Sequence, residues 1–290
     1  MLTVALWMLL FQAASATTQA AEMPPRQKEY QVVLLPELFQ DRNHGVKAFF
    51  KYLEKLEDGK QVKRFTYKKK SGKVDAREVT FLDTRGRDLA KAGYAVRYRR
   101  WLDEEKPAGE LTVKHNAPTE QAALAAPLSP SPAYLEEGKS RAKVEHDLYE
   151  PGNAKFGYSV TLYGKHFRQQ VTSAGDFVNV AAVGRFFPGL VAQLELAGES
   201  PLTATRHEFR WAHDEIALKF AGESCQGTLL LLYRTKKELD EASGPPQRIE
   251  FSWRLKEGEK HWQPEVFQAA DAVSRFLWED DWAEKPAAKP

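Results

Sequence analysis

The chain has a single cysteine in 290 residues, Cys225, so no internal disulfide can form. Its seven histidines (His44, His115, His146, His166, His207, His213 and His261) are scattered and show no metal-ligand spacing on a helix. There is no Gly-x-Ser-x-Gly elbow and no cysteine with a matching histidine, so serine or cysteine nucleophile chemistry has no motif to rest on. A dominant charge is missing too: 42 Lys and Arg against 40 Asp and Glu leave +2. No global field selects nucleic acid or an acidic partner, and any electrostatic recognition must be local. Internal repeats are absent. After the N-terminus, no apolar run is long enough to span a membrane.

What is present begins with a leader. Leu2 to Phe11 is almost wholly apolar, and Ala13-Ala14-Ser15-Ala16 and Gln19-Ala20-Ala21 offer small-residue cleavage sites. Residues 1–21 are therefore expected to be a signal peptide, with the α-amino group as the only positive charge before the apolar run. The run is too short for a transmembrane helix, and no cysteine near the cleavage region offers a lipid anchor. A secreted chain without disulfides fits a bacterial periplasm or exterior. Residues 22–282 are read as one domain and 283–290 as a disordered tail.

Periodicity predicts a strand-rich domain. Strands are expected at 29–35, 61–69, 74–82, 94–101, 110–115, 142–149, 156–163, 203–211, 215–220, 227–234 and 249–256. Helices are expected at 43–56, 177–187, 190–196 and 264–278, with a helical turn at 88–92. Residues 116–141, rich in Ala, Pro, Ser and Glu, read as a surface excursion. Residues 60–73 carry seven Lys or Arg around Phe65 and Tyr67. They are read as a hairpin with solvated tips that blunts a sheet edge, with a polyphosphate or nucleic-acid contact as the alternative. Trp278 and Trp282 suit an aromatic plug that docks the last helix. Short turns between most strands favour an antiparallel sheet. Charged rows opposite apolar rows suit a closed barrel with a polar lumen, giving an α+β class with flanking helices.

The most informative stretch is 81–114. Arg97, Arg99 and Lys114 lie on two strand-like runs with period-two spacing. Residues two apart on a strand share a face, roughly 6.6 Å apart. If that face lines a cavity, the row suits a chain of phosphates, because Arg offers a bidentate fork and Lys a point charge. Three further rows share faces: Lys143, Glu145 and Asp147; Arg206, Glu208 and Arg210; Glu250, Arg254 and Lys256.

In order, Phe81-Leu82-Asp83-Thr84, Leu89 to Ala92-Gly93, Val96-Arg97-Tyr98-Arg99, Leu111-Thr112-Val113-Lys114 and Lys143-Val144-Glu145 resemble the motifs of the CYTH superfamily, the triphosphate tunnel metalloenzymes. The resemblance covers residues 78–147 and is topological beyond them. It implies an antiparallel β-tunnel of about eight strands. Basic side chains inside hold phosphates, and glutamates hold Mg²⁺ or Mn²⁺, which helps a water attack the terminal phosphorus. On this reading Arg97, Arg99, Lys114, Lys143, Arg206, Arg210 and Arg254 are the phosphate-binding candidates, and Glu29, Glu145 and Glu250 the metal candidates.

The first strand departs from the family. Its Glu-x-Glu-x-Lys is here Glu29-Tyr30-Gln31-Val32-Val33, so one carboxylate and the lysine are gone. Hard cations are usually held through carboxylates. The expectation is a secreted tunnel protein that binds a triphosphate, polyphosphate or nucleotide, with hydrolysis weak or lost. The alternatives are an active metal-dependent triphosphatase with relocated carboxylates, and a structural or interaction module whose lumen is filled by aromatic side chains.

Overall fold

The computed structural model describes residues 26–58, 65–68, 74–102, 109–137, 139–150, 153–163, 179–242, 244–256, 263–280 and 282–283. The expected signal peptide, residues 60–64 and 69–73 of the expected 60–73 hairpin, and residues 284–290 lie outside the described residues. The hairpin reading is corrected, because among the described residues Phe65–Lys68 pairs with Leu202–Phe220 and not with Val74–Thr84. The strands are β1 (Arg26–Leu34), β2 (Phe65–Lys68), β3 (Val74–Thr84), β4 (Tyr94–Trp101), β5 (Glu110–Ala117), β6 (Lys139–Glu150), β7 (Asn153–Tyr163), β8 (Leu202–Phe220), β9 (Glu223–Tyr233) and β10 (Arg248–Lys256).

They pair in the order β2-β8-β3-β4-β5-β7-β6-β1-β10-β9, and β9 pairs back onto β8. Nine strands thus close a barrel, with β2 lying outside on β8. Closure removes the unpaired edges that would template association. The barrel has one strand more than the expected eight, and it is not wholly antiparallel: β1 and β6 run parallel, with Glu29 beside Asp147. The segments 203–211 and 215–220, expected as separate strands, form the single strand β8. A register shift between His213 and Ile216 bends it, as a bulge does.

The alternation along each strand turns the usual barrel inside out. In β1, Tyr30, Val32 and Leu34 are fully buried against the outside of the wall, while Glu29 and Gln31 face the lumen. The outer apolar face needs a cover, and helices supply it. Helix α1 (Arg42–Asp58) buries Phe49, Phe50, Leu53 and Leu56. The C-terminal helix (Pro264–Glu279) buries Val266, Ala269, Ala270, Val273 and Leu277. Both sets follow helical three-and-four spacing. They close over Phe251, Trp253 and Leu255, with Tyr30 stacked on Trp253 at 5.2 Å. Trp282 completes the plug against Phe39, Phe49 and Tyr52, and the neighbouring Ala283 bridges Leu34.

A second apolar cluster covers the opposite outer face, built on Val96, Leu111, Val113, Val160 and Leu162. Short helices roof it: α2 (Asp88–Lys91), α3 (Glu120–Leu124), α4 (Pro132–Glu137), α5 (Val180–Gly184) and α6 (Pro188–Leu194). This corrects the reading of residues 116–141 as a surface excursion. Ala126, Leu128 and Tyr134 are buried in the cluster, Ala123 of α3 is buried as well, and Thr119 caps α3 by accepting from the Ala122 N–H at 3.2 Å. A segment poor in large apolar residues reads as loop, yet a few suffice where the wall already supplies the other half of the core.

The Asp83-Thr84 motif is part of this frame. Asp83 is buried, and its carboxylate accepts N–H bonds from Thr84, Leu89 and Ala90 at 2.8, 3.0 and 3.1 Å. It locks the end of β3 onto α2. The turn that follows needs glycine: Gly93 has φ +82°, and a Cβ there would meet the Asn116 carbonyl oxygen at 2.9 Å.

Candidate functional site

Inward-facing residues of the nine strands enclose a cavity of about 370 Å³. The period-two rows place Arg97 and Lys114 in its wall, together with Lys143, Arg206, Arg210 and Arg254. Arg99, the next residue on the same face of β4, pairs with Glu110 at 2.7 Å and donates to Thr112 Oγ1 at 3.2 Å. The metal candidates Glu29, Glu145 and Glu250 also line the cavity, joined by Asp147, Tyr149, Glu208 and Arg248. Counting by twos from Lys143 reaches Asp147 and Tyr149, and from Arg254 reaches Glu250 and Arg248. The signal was present, but strand periodicity alone does not say which rows face inward.

Of the carboxylates, Glu29, Glu145 and Asp147 converge, with an oxygen from each all within 4.8 Å of one another. Glu250 does not join them, which departs from the expected ligand set. The register explains the exchange. On β10 the residue opposite Glu29 is Arg254, whereas Glu250 stands opposite Val33 and pairs with Arg248 at 2.7 Å. On the other side of β1, Asp147 lies directly beside Glu29.

Cations and amides hold the three acids. Arg254 donates to Glu29 at 2.9 Å, and Gln27 donates to Glu145 at 2.6 Å. Lys143 contacts Glu145. Lys114 lies 3.3 Å from Glu145 and touches Asp147, which also accepts from the Tyr149 hydroxyl at 3.1 Å. Lys114 must cross β7 to do this, and it passes over Gly157, where a Cβ would sit 2.2 Å from its Cε. Burial raises the Glu29 carboxyl above its ordinary value; Arg254 opposes this and Glu145 adds to it. Burial acts on Glu145 in the same sense, but Lys114 and Lys143 outweigh it and hold Glu145 well below the carboxylate range. Within the pair, burial favours the protonated form of Glu29, and the two lysines favour the charged form of Glu145. Burial also works against the Lys114 charge, yet Glu145 and Asp147 raise its pKa above the ordinary lysine value.

The opposite side of the lumen is richer in arginine. Arg206 pairs with Glu208 at 2.8 Å and lies 3.9 Å over the Phe81 ring. Burial raises Glu208, with Arg206 opposing and Glu250 adding. Arg97 keeps a buried Nε with no hydrogen-bond partner among the described residues. Burial works against its charge, while the fields of Glu145, Glu110 and Glu29 support it. Seven cations and five carboxylates line the cavity, a formal surplus of two positive charges.

Chemically, this is an anion site with a carboxylate corner. Arginine and lysine groups held inside a closed wall suit phosphate oxygens. The three converging carboxylates are hard oxygen donors and fit a divalent cation. Asp147 strengthens that fit, because its Oδ1 is buried without a hydrogen-bond partner among the described residues.

No family model matches the chain, and no curated protein matches it. Among solved structures, the Hippeastrum protein HpAC1, described as having a dominant triphosphatase activity, aligns at 14% identity and a TM-score of 0.45, covering 90% of this chain and 91% of its own. A Bacillus halodurans protein assigned as an adenylate cyclase aligns at 10% identity and 0.43, covering 91% and 95%. The Pyrococcus horikoshii protein PH1819 aligns at 11% and 0.33, covering 89% and 92%. At these scores the likenesses carry no weight, and the barrel rests on its own strand pairing. Fold and lumen define a closed β-tunnel with a charged interior, the architecture that the resemblance to the CYTH superfamily implies.

Proposed function

We propose that the chain binds a phosphate-rich anion of triphosphate, polyphosphate or nucleotide type inside the tunnel. The observation that carries this reading is Arg97: a lumen guanidinium whose buried Nε lacks an acceptor among the described residues, in a wall with a surplus of cations. A buried donor without a partner costs free energy, and an anion in the cavity would relieve it. The reading includes weak or lost hydrolysis, because Gln31 and Val33 stand where the family places its second carboxylate and its lysine. The expected leader at residues 1–21 supports placing the mature protein outside the cytoplasm, in a bacterial periplasm or exterior.

One observation favours a second reading, metal-dependent phosphohydrolysis with relocated carboxylates: Asp147 joins Glu29 and Glu145. Those three residues would hold Mg²⁺ or Mn²⁺. A cation there would neutralise phosphate charge and favour attack by water. The chain's own part is positioning, with Arg97 and Arg210 set across the lumen to orient the anion. An aromatic-filled structural module finds less support, since Phe81 and Tyr149 are the only rings in the described lining.

Titration with tripolyphosphate, with and without Mg²⁺ or Mn²⁺, together with an assay of released phosphate, separates these readings. Saturable binding without metal and little release is the expected result. Rapid metal-dependent release moves the assignment to the second reading. Absence of binding under both conditions contradicts the proposal.

A further inference from the structure

We propose that Lys114 is an internal counter-ion that competes with a divalent cation for Glu145 and Asp147. This deepens the second reading and rests on it for the cation. Its test reads metal binding alone, so its failure leaves phosphate binding standing.

The Lys114 ammonium straddles two of the three converging carboxylates, 3.3 Å from Glu145 Oε2 and against Asp147 Oδ2. It is the only cation within ion-pair distance of Asp147 among the described residues. It stands where a cation bridging Glu145 and Asp147 would stand. Yet the ammonium does not satisfy the corner: Asp147 is 3% exposed, and its Oδ1 is still unpartnered. The cluster is therefore one ligand contact short of complete. That remaining oxygen marks the position as built for an ion with more coordination directions than Lys114 brings to it.

The local sequence serves this placement. Lys114 is on β5 and its acids are on β6, with β7 between them. The side chain spans the intervening strand only because residue 157 has no Cβ. A divalent ion entering the corner must push the ammonium aside, since two cations at such separation repel by several kcal/mol even at an effective dielectric near 20. Once moved, Lys114 faces the lumen and is available to an anion there. The chain thus holds its metal corner closed with its own lysine.

Calorimetric titration of the folded full chain with Mn²⁺ alone tests this. Lys114→Met is expected to bind Mn²⁺ at least about tenfold more tightly than the wild type. Arg206→Met removes a lumen cation that pairs elsewhere, with Glu208, and is expected to change affinity by less than about threefold. Mn²⁺ binding by Lys114→Met no tighter than wild type overturns the proposal, as does an equal gain in Arg206→Met. If thermal melting shows that Lys114→Met does not fold, Gly157→Ala carries the test. It keeps every charge but displaces Lys114, so tighter Mn²⁺ binding supports the proposal and unchanged affinity overturns it.

Discussion

Lys114 and Asp147 stand on strands separated by β7, yet their charged groups meet inside the barrel. That contact joins the one lumen lysine of β5 to the mixed charged row of β6, Lys143, Glu145 and Asp147. It makes the lumen a paired system rather than a simple basic tunnel. Only part of the positive charge is left uncommitted, and Arg97 is its clearest member. The expected consequences divide between the frame that builds the tunnel and the groups that line it.

Asp83 belongs to the frame. Its carboxylate accepts three backbone N–H bonds at the junction of β3 and α2. Asp83→Ala leaves those buried donors unsatisfied and is expected to cost about 2–4 kcal/mol. Asp83→Asn keeps one acceptor oxygen and is expected to cost less. Urea denaturation of both variants checks this, and a loss below about 0.5 kcal/mol for the alanine variant would contradict the capping role.

Trp282 belongs to the outer cover of the barrel. It packs on Phe39, Phe49 and Tyr52, and its carbonyl accepts from the Leu35 N–H at 2.8 Å. Trp282→Ala is expected to destabilise the fold by about 2–3 kcal/mol, somewhat less than truncation of a fully buried tryptophan. The same denaturation measurement reads it, and an unchanged midpoint would show that the plug adds no stability.

The acid corner sets an unusual pH dependence. Glu29 is raised above its ordinary 4.5, so the folded chain keeps a proton there that the unfolded chain releases. Its contribution is full below the ordinary value and is lost as pH rises through the raised one. Glu145 is depressed below 4.5, so its contribution is present above the ordinary value and lost as pH falls through the depressed one. From this pair, stability is expected to decline as pH rises from about 4.5 through the raised Glu29 value. Glu29→Gln is expected to flatten that decline. Unfolding free energies measured at about pH 5 and about pH 7.5 test it, and identical slopes in the two chains would contradict the assignment of the proton to Glu29.

Much of this was legible in residue order. Residues 94–101 read as a strand and are one, because Tyr94, Val96 and Tyr98 alternate with Ala95, Arg97 and Arg99 in a single strict period. The first long helix and the C-terminal helix were legible because their apolar residues recur at three and four. Closure of the wall was not. Whether Asp147 or Glu250 stands near Glu29 depends on how β1 pairs with β6 and β10, and pairing between distant strands leaves no local trace. Burial of residues 116–141 was hidden for a related reason: its few apolar side chains matter only because the barrel wall lies beneath them. The role of Gly157 was hidden as well, since it exists only in relation to a lysine forty-three positions earlier.

The central claim is that the lumen takes a phosphate-rich anion and that Arg97 meets it. Isothermal titration of wild type and Arg97→Ala with tripolyphosphate, at one fixed low ionic strength and without metal, tests that claim most directly. The account expects one saturable site in the wild type and about 10–100-fold weaker binding in a variant that still melts cooperatively, the worth of a charge-assisted contact. No binding by the wild type, or equal affinity in the two chains, would contradict it.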